Sequence, residues 1–296
     1  DVKKYLAEFL SDSRVIEIPK IIWYCILKLI ILPIRSPKTA NLYKHICFKK
    51  TNKLPLLFYT EKQCKKLSQV LNFDKNIIVD FAMRYGNPSI ANKINKLKNI
   101  SRLIVLPLYP QYSATTVASV CDEVFRQLIK LRKQPSIKII APFYDNTDYI
   151  KLLVKKVKHH LDIINFTADA LLVSFHGIPQ RNIKLGDPYY THCKKTYELL
   201  EKELNIECIL CFQSRFGWQS WLQPYTTDIL KQCVKENKKN ILIIAPSFVS
   251  DCLETLEELA ISEKDKFLNY GGKNFSVVPC LNDDNDFINL IKKLIN

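Results

Sequence analysis

Alternation constrains this chain more than any single motif. Short apolar runs rich in β-branched residues recur at 77–85, 103–109, 137–143, 171–175, 209–212, 241–246 and 275–281, with helical patterns between them. The clearest helix places Val117, Val120, Cys121, Val124, Phe125, Leu128 and Ile129 on one face at i, i+3, i+4 spacing. Strands that alternate with helices build parallel sheets joined by right-handed crossovers. The expected fold is therefore α/β, and the strands fit two parallel sheets better than one. A weak internal repeat agrees with two related halves. Residues 102–124 and 240–259 both run strand, proline, aromatic, serine, helix.

Composition narrows the function. With 296 residues, 47% of them hydrophobic, the chain can bury the cores of two domains. A net charge of +15 raises the question of an anionic partner. The lysines are scattered, however, and no arginine-rich arm, zinc finger or aromatic RNA-binding signature is present, which argues against nucleic acid. Ten cysteines follow no disulfide framework and no signal peptide is visible, so reduced thiols and a cytoplasmic location are expected. Cys208 and Cys211 form a C-x-x-C inside an apolar run without a second pair, and read as core thiols. Segment 18–35 is strongly apolar, but Lys20 and Lys28 interrupt it and Pro19 and Pro33 bracket it. Its longest apolar stretch is about seven residues, against roughly 20 for a membrane span. It reads either as a core helix or as an apolar lip over a hydrophobic ligand that touches a membrane surface.

The chemistry concentrates at strand ends. His176 follows the run 171–175, where Gly177 permits a sharp turn and Pro179 stops the strand. In a parallel sheet such ends form the ligand crevice. The run 241–246 leads into a second polar segment, 250–258. There Asp251 and Glu254 fit an N-cap and N3 pair, and Glu254, Glu257 and Glu258 are spaced to share a helix face. An imidazole facing a carboxylate across a crevice can bind a divalent metal with open positions, or exchange protons near neutral pH. His45, His159, His160 and His192 have no ligand spacing, and His159 and His160 are expected to face solvent. Residues 212–225 form a loop dense in aromatics, and aromatic groups recur at 83–86 and 109–113. Such surfaces suit a flat conjugated ligand, with an arginine available for a substrate carboxylate. No Walker or G-x-G-x-x-G loop appears, so no nucleotide cofactor is expected.

Together the stretches AMRYGNPSI (82–90), LPLYPQYSATT (106–116), SFHGIPQRNIKLGDPYY (174–190), FQSRFGWQSWLQPYT (212–226), SDCLETLEEL (250–259) and PCLND (279–283) resemble the ferrochelatase family, as does EFLSDSRVIEIP (8–19) near the start. The resemblance runs in order over essentially the whole chain. It implies two similar Rossmann-like domains with a porphyrin cleft between them: 1–142, with a C-terminal helix 284–296 packing back on it, and 143–283 carrying the metal site. It also implies insertion of Fe(II) into protoporphyrin IX to form haem, with release of two protons. His176 and Glu254 would be the catalytic pair and the metal ligands, with Asp251 and Glu258 along an outer path. Arg84, Tyr112, Trp221 and Phe248 would line the porphyrin cleft. The partners implied are protoporphyrin IX and ferrous iron, with peripheral contact at the inner membrane face through 18–35. A chelatase for another tetrapyrrole or metal (coproporphyrin, cobalt) and a non-catalytic tetrapyrrole-binding protein are the alternatives. This sequence departs from the family's pattern in places. A first strand with a Gly-Thr-Pro turn is absent, Lys53-Leu54-Pro55 replaces Gly-Ser-Pro, and Ser247 replaces a common glycine. The C-terminal cysteines that bind a [2Fe–2S] cluster in some members are also absent, so no cluster is expected.

Overall fold

The strand β3, Ala170–His176, shows how the chain is layered. Ala170, Leu171, Leu172, Val173 and Phe175 are all fully buried. Leu171, Val173 and Phe175 point into one apolar cluster, and Ala170 and Leu172 into another. Successive side chains of a strand alternate between faces, so a run without polar alternation must be covered on both sides. Helices Thr147–Ile163, Tyr189–Glu203 and Asn285–Ile295 cover the first face, and helices Thr226–Lys235 and Lys264–Asn269 the second. Each such side chain contributes about 1.5–3 kcal/mol by leaving water. The one polar residue in the run, Ser174, is satisfied by Gln213 and Thr226.

The computed structural model describes residues 2–71, 76–97 and 99–296. Besides β3 it contains β1 (Arg102–Val105), β2 (Ser136–Ile139), β4 (Cys208–Gln213), β5 (Asn240–Ile244) and β6 (Asn274–Val277). β1 and β2 form one parallel sheet; β4-β3-β5-β6 form the other, also parallel throughout. The fold is α/β with one sheet in each half of the sequence. In both halves a strand and its proline lead into a π-helix that continues as an α-helix. These are Ala114–Ala118 into Ser119–Leu128, and Glu254–Glu263 into Lys264–Asn269. The C-terminal helix Asn285–Ile295 packs on both Pro55–Leu71 and Thr147–Ile163, and so touches both halves. The helices Val2–Leu10, Lys20–Ile26 and Leu32–Ile46, with the π-helix Leu27–Ile31, form a flap around Leu6, Leu10, Leu27 and Leu32.

The expected strand at 77–85 does not form. Residues 77–82 are not in a strand, and Met83 makes only an isolated bridge to Ser89. Among the described residues, 77–82 make no backbone–backbone hydrogen bond, and Ile77 and Ile78 are exposed. A β-branched run has the local preference for a strand, but the ladder needs a neighbour. Among the described residues β1 is paired only to β2, and the cavity beside it is lined also by 77–82. Amide protons of 77–82 should therefore exchange on the order of a thousandfold faster than those of Ile241–Ile244. Equal protection in hydrogen-exchange mass spectrometry would show that the segment is paired in solution.

Candidate active site

The order β4-β3-β5-β6 reverses direction between β3 and β5, because the chain leaves β3 to one side and returns to the other. Loops beyond such a switch point diverge and leave a crevice. His176 ends β3, and the loop from Ala245 to Leu253 follows β5, so both chemical segments stand at that crevice.

The turn after His176 requires glycine. Gly177 N–H donates to the Gln213 carbonyl at 2.8 Å. A Cβ on Gly177 would lie 2.9 Å from that same carbonyl oxygen and 3.3 Å from the Trp221 ring. The His176 imidazole is thereby fixed. Its Nδ1 lies 2.6 Å from the Gly177 carbonyl oxygen, which can only accept, so Nδ1 donates there and Nε2 is the ring nitrogen left for other contacts. Trp221 and Phe248 flank the ring, with centroids 6.5 and 6.3 Å away. Ser247 has a use that a glycine there would lack, since its Oγ accepts the His176 backbone N–H at 3.2 Å.

The carboxylates are arranged differently from the expected α-helical stripe. Glu254–Glu263 is a π-helix whose N-terminus Asp251 does not cap. Instead Asp251 accepts from Thr255 Oγ1, Asn282 Nδ2 and Cys280 N–H, while the Cys252 N–H donates to Thr255 Oγ1. A π turn closes on the fifth residue, so i and i+4 lie closer to one face than i and i+3. Glu257 turns away and accepts from Ser262 Oγ at 2.9 Å. Glu258 sits behind Glu254 and accepts from Ser214 N–H at 2.7 Å, Ser214 Oγ at 2.5 Å and Gln213 Nε2 at 3.2 Å. Burial raises the Glu258 pKa and the nearby Glu254 charge adds to the rise, outweighing the Ser214 bonds and the attraction of His176. Gln213 was not singled out in the sequence, yet it ties the site together. It is the register partner of His176 on β4, and its Nε2 also donates to the Glu254 carbonyl at 3.1 Å. Among the described residues no three His, Cys, Asp or Glu side chains converge as a metal site.

Above the pair opens a cavity of about 2580 Å³, lined by His176, Glu254, Trp221, Phe248 and Arg84 among others. Ligand pockets commonly measure about 300–1,000 Å³, so this one exceeds a single small ligand, and the excess extends along the free edge of β1. Tyr112, Asp251 and Glu258 are not on its wall; Tyr109 is, three residues before Tyr112. The Tyr112 backbone N–H donates to His192 Nδ1, and His192 stacks on Tyr144. His160, expected in solvent, is half-buried and bonded to Ser276. Tyr5 and Tyr43 of the flap also line the cavity; burial raises their phenol pKa values and the Glu254 charge adds to the rise.

Arg84 is on the wall but committed. It pairs with Asp12 and donates from Nε to the Ser119 carbonyl at 2.9 Å and Ser119 Oγ at 2.7 Å. Asp12 also accepts from Tyr85 OH and Ser119 Oγ. The pair is nearly buried, 14% and 7% exposed, and fastens the flap to the loop at Arg84 and to the helix Ser119–Leu128. Burial pushes the Asp12 pKa up, but these hydrogen bonds and the Arg84 charge overcome it and hold the pKa below its ordinary value. A depressed carboxylate stabilises the fold above its unfolded pKa, and that stability is lost as pH falls through the folded one. Asp12→Asn should thus cost about 3 kcal/mol in urea unfolding at pH 7. It should also remove part of the wild type's loss of stability below about pH 4. An unchanged unfolding midpoint at both pH values would mean that the pair does not hold the flap.

A family model described as ferrochelatase matches residues 1–296. The curated ferrochelatases of Francisella tularensis subsp. novicida (strain U112) and subsp. holarctica (strain OSU18) are each 53% identical to this chain, covering 100% of it and 90% of theirs. Among solved structures, SirB from Bacillus subtilis with Fe3+ aligns with a TM-score of 0.57 at 15% identity, over 79% of this chain and 89% of its own. The sirohydrochlorin chelatase SirB from Bacillus subtilis subspecies spizizenii in complex with cobalt aligns with a TM-score of 0.56 at 11% identity, over 80% and 87%. At those identities the likeness is one of fold.

Proposed function

Because the chain belongs to the ferrochelatase family, we propose a division of labour among its residues for inserting ferrous iron into a porphyrin to form haem. It is a lyase whose substrates are the porphyrin and the ion. Protoporphyrin IX is the porphyrin we assign. The observation that carries the assignment of roles is that His176, its Nδ1 engaged by Gly177, and Glu254 line one aromatic-walled cavity.

Metal entry releases two N–H protons from the macrocycle, so the site needs a base that is neutral and unoccupied. We assign that role to His176, whose Nδ1–H is held by Gly177, so that a proton from the macrocycle would go to Nε2. Glu254 supplies the charge that attracts the ion. Glu258 stands behind it and, with its raised pKa, accepts a proton more readily than an ordinary glutamate. Asp251 lies off the cavity wall with its oxygens bonded, which favours support of the loop over direct contact with the ion. Trp221 and Phe248 offer ring faces beside His176 for the macrocycle. Binding energy from those faces can bend the flat ring and expose its nitrogen lone pairs. Arg84 supports the wall through Asp12, so a substrate carboxylate would have to compete with that pair. We assign iron as substrate only, without a [2Fe–2S] cluster. We take the two domains to be 1–142 and 143–283.

No helix among the described residues is long and apolar enough to cross a membrane. The flap nonetheless turns Ile21, Ile22, Leu29, Ile30 and Ile34 outward beside Lys20 and Lys28. An apolar face edged with lysines suits peripheral contact with an anionic membrane surface, which we assign to the cytoplasmic side.

Anaerobic Fe(II) insertion into protoporphyrin IX, followed by the loss of porphyrin fluorescence, tests these roles. Wild-type protein should quench it catalytically. His176→Ala should lower kcat by at least about a hundredfold while binding porphyrin within about threefold of wild type. Wild-type turnover by the variant would remove His176 as the base. Acid-labile sulfide should be absent from the purified protein, and a stoichiometric amount would overturn the assignment of no cluster.

A further inference from the structure

Glu254 stands on a loop that is held from the other half of the molecule. Gln63 lies in the helix Pro55–Leu71, is 3% exposed, and reaches across to two acceptors. Its Nε2 donates to Ser250 Oγ at 2.8 Å and to the Asn282 carbonyl at 2.6 Å. Asn282 continues the chain of contacts. It adopts a left-handed backbone conformation, φ 51°, which asparagine tolerates better than most residues. From there its Nδ2 donates to Asp251 Oδ2 at 2.6 Å, and its Oδ1 accepts the Asp251 N–H at 2.8 Å. Asp251 then holds Thr255 Oγ1, which accepts the Cys252 N–H. Positions 251, 252 and 255 are thus pinned on both sides of Glu254, while the Glu254 side chain lines the cavity.

Ordinary packing does not account for Gln63. Its Oε1 is buried without a partner among the described residues, so the site carries the penalty of an unmet acceptor. An apolar residue of the same size would fill the space without that unmet acceptor, but it would leave the Asn282 carbonyl and Ser250 Oγ without this donor. What only the amide supplies is a two-pronged donor aimed at the loop. We propose that Gln63 is a positioning residue for iron insertion, an N-terminal-half side chain that fixes where Glu254 stands opposite His176. The proposal rests on the reading of Glu254 as the acidic partner in the reaction. In this role Gln63 touches neither substrate. It braces the loop that carries Glu254 from the other half of the molecule, and a reacting group displaced by about 1 Å can cost on the order of a hundredfold in rate.

The test is steady-state insertion kinetics on the full chain for Gln63→Leu, Ser250→Ala, their double variant and Glu254→Gln. Folded fraction is measured in parallel by porphyrin-binding stoichiometry. Gln63→Leu should lower kcat per folded site by about ten- to a hundredfold, with KM for porphyrin within about twofold. Ser250→Ala, which loses one acceptor only, should lose less. The double variant should resemble Gln63→Leu, because both changes break one tie. Wild-type kcat per folded site in Gln63→Leu, a loss that merely tracks the unfolded fraction, or strictly additive losses would each overturn the proposal. Glu254→Gln separates the two readings. If it retains wild-type kcat, the role of Glu254 falls and the positioning role with it. If it is inactive while Gln63→Leu is not, only the positioning role fails.

Discussion

The ladder joining β3 to β4 and β5 is the constraint on which the rest depends. Its register sets Val173 opposite Ile244 and His176 opposite Gln213. Slipping either pairing by one residue would exchange the two faces of a strand that is buried on both. That is prohibited here less by polarity than by shape, because Phe175 and Phe212 fill one cluster while Ala170 and Cys211 face the other. With the register fixed, the end of β3 can stand only where Gly177 meets the Gln213 carbonyl. The placing of the imidazole and of Trp221 follows from that one close approach. The geometry of this strand end is in this sense a consequence of core packing one layer below.

Much of this was legible in the sequence, for a specific reason. Parallel strands buried on both faces appear as unbroken apolar runs, and their ends are marked by glycine and proline, so 171–175 and 241–246 announced both themselves and the loops behind them. The strand-to-helix grammar was enough to place His176 and Glu254 at one crevice. Pairing partners were harder to read. The run 77–85 has the composition of a strand but no ladder, because hydrogen-bonded neighbours are a property of the sheet. Tyr109 and Tyr112 share one loop, and only the turn between them decides which faces the cavity. The π-helix was hidden too, since an i, i+4 spacing of glutamates is compatible with either helix. The polar network was the least visible part. Gln63 and Ser250 are 187 residues apart, and nothing local to either marks the contact.

The polar ties also explain how two halves can enclose a large cavity and still hold a precise site. Apolar contact would bring the halves together by filling the space between them, which is the space the substrate needs. Hydrogen bonds act at points. The Asp12–Arg84–Ser119 cluster fixes the flap at one rim, and the Gln63–Asn282–Asp251 chain fixes the carboxylate loop at another. Between those points the wall remains apolar and open. Directional bonds cost more to bury than methyl groups, but they define distance without occupying volume.

The same economy of free atoms suits a site that must give up its ion. Resident metal sites close the coordination sphere with three or four protein ligands whose outer atoms are fixed in turn. Here most of the neighbouring donors are already engaged. Glu258 is held by Ser214 and Gln213, Asp251 by Asn282, Thr255 and Cys280, and Nδ1 of His176 by Gly177. On the proposed roles that leaves Nε2 of His176 and the Glu254 carboxylate for the ion, with the remaining positions open. Four porphyrin nitrogens then outcompete two protein ligands. The raised pKa of Glu258 works in the same direction. Burial is the main cause of that rise, and the Glu254 charge adds to it, so on the proposed roles Glu258 is the better placed of the two to take up a departing proton. A site that bound iron more tightly would be a poorer chelatase, because the binding free energy of the ion would have to be returned in the transfer step.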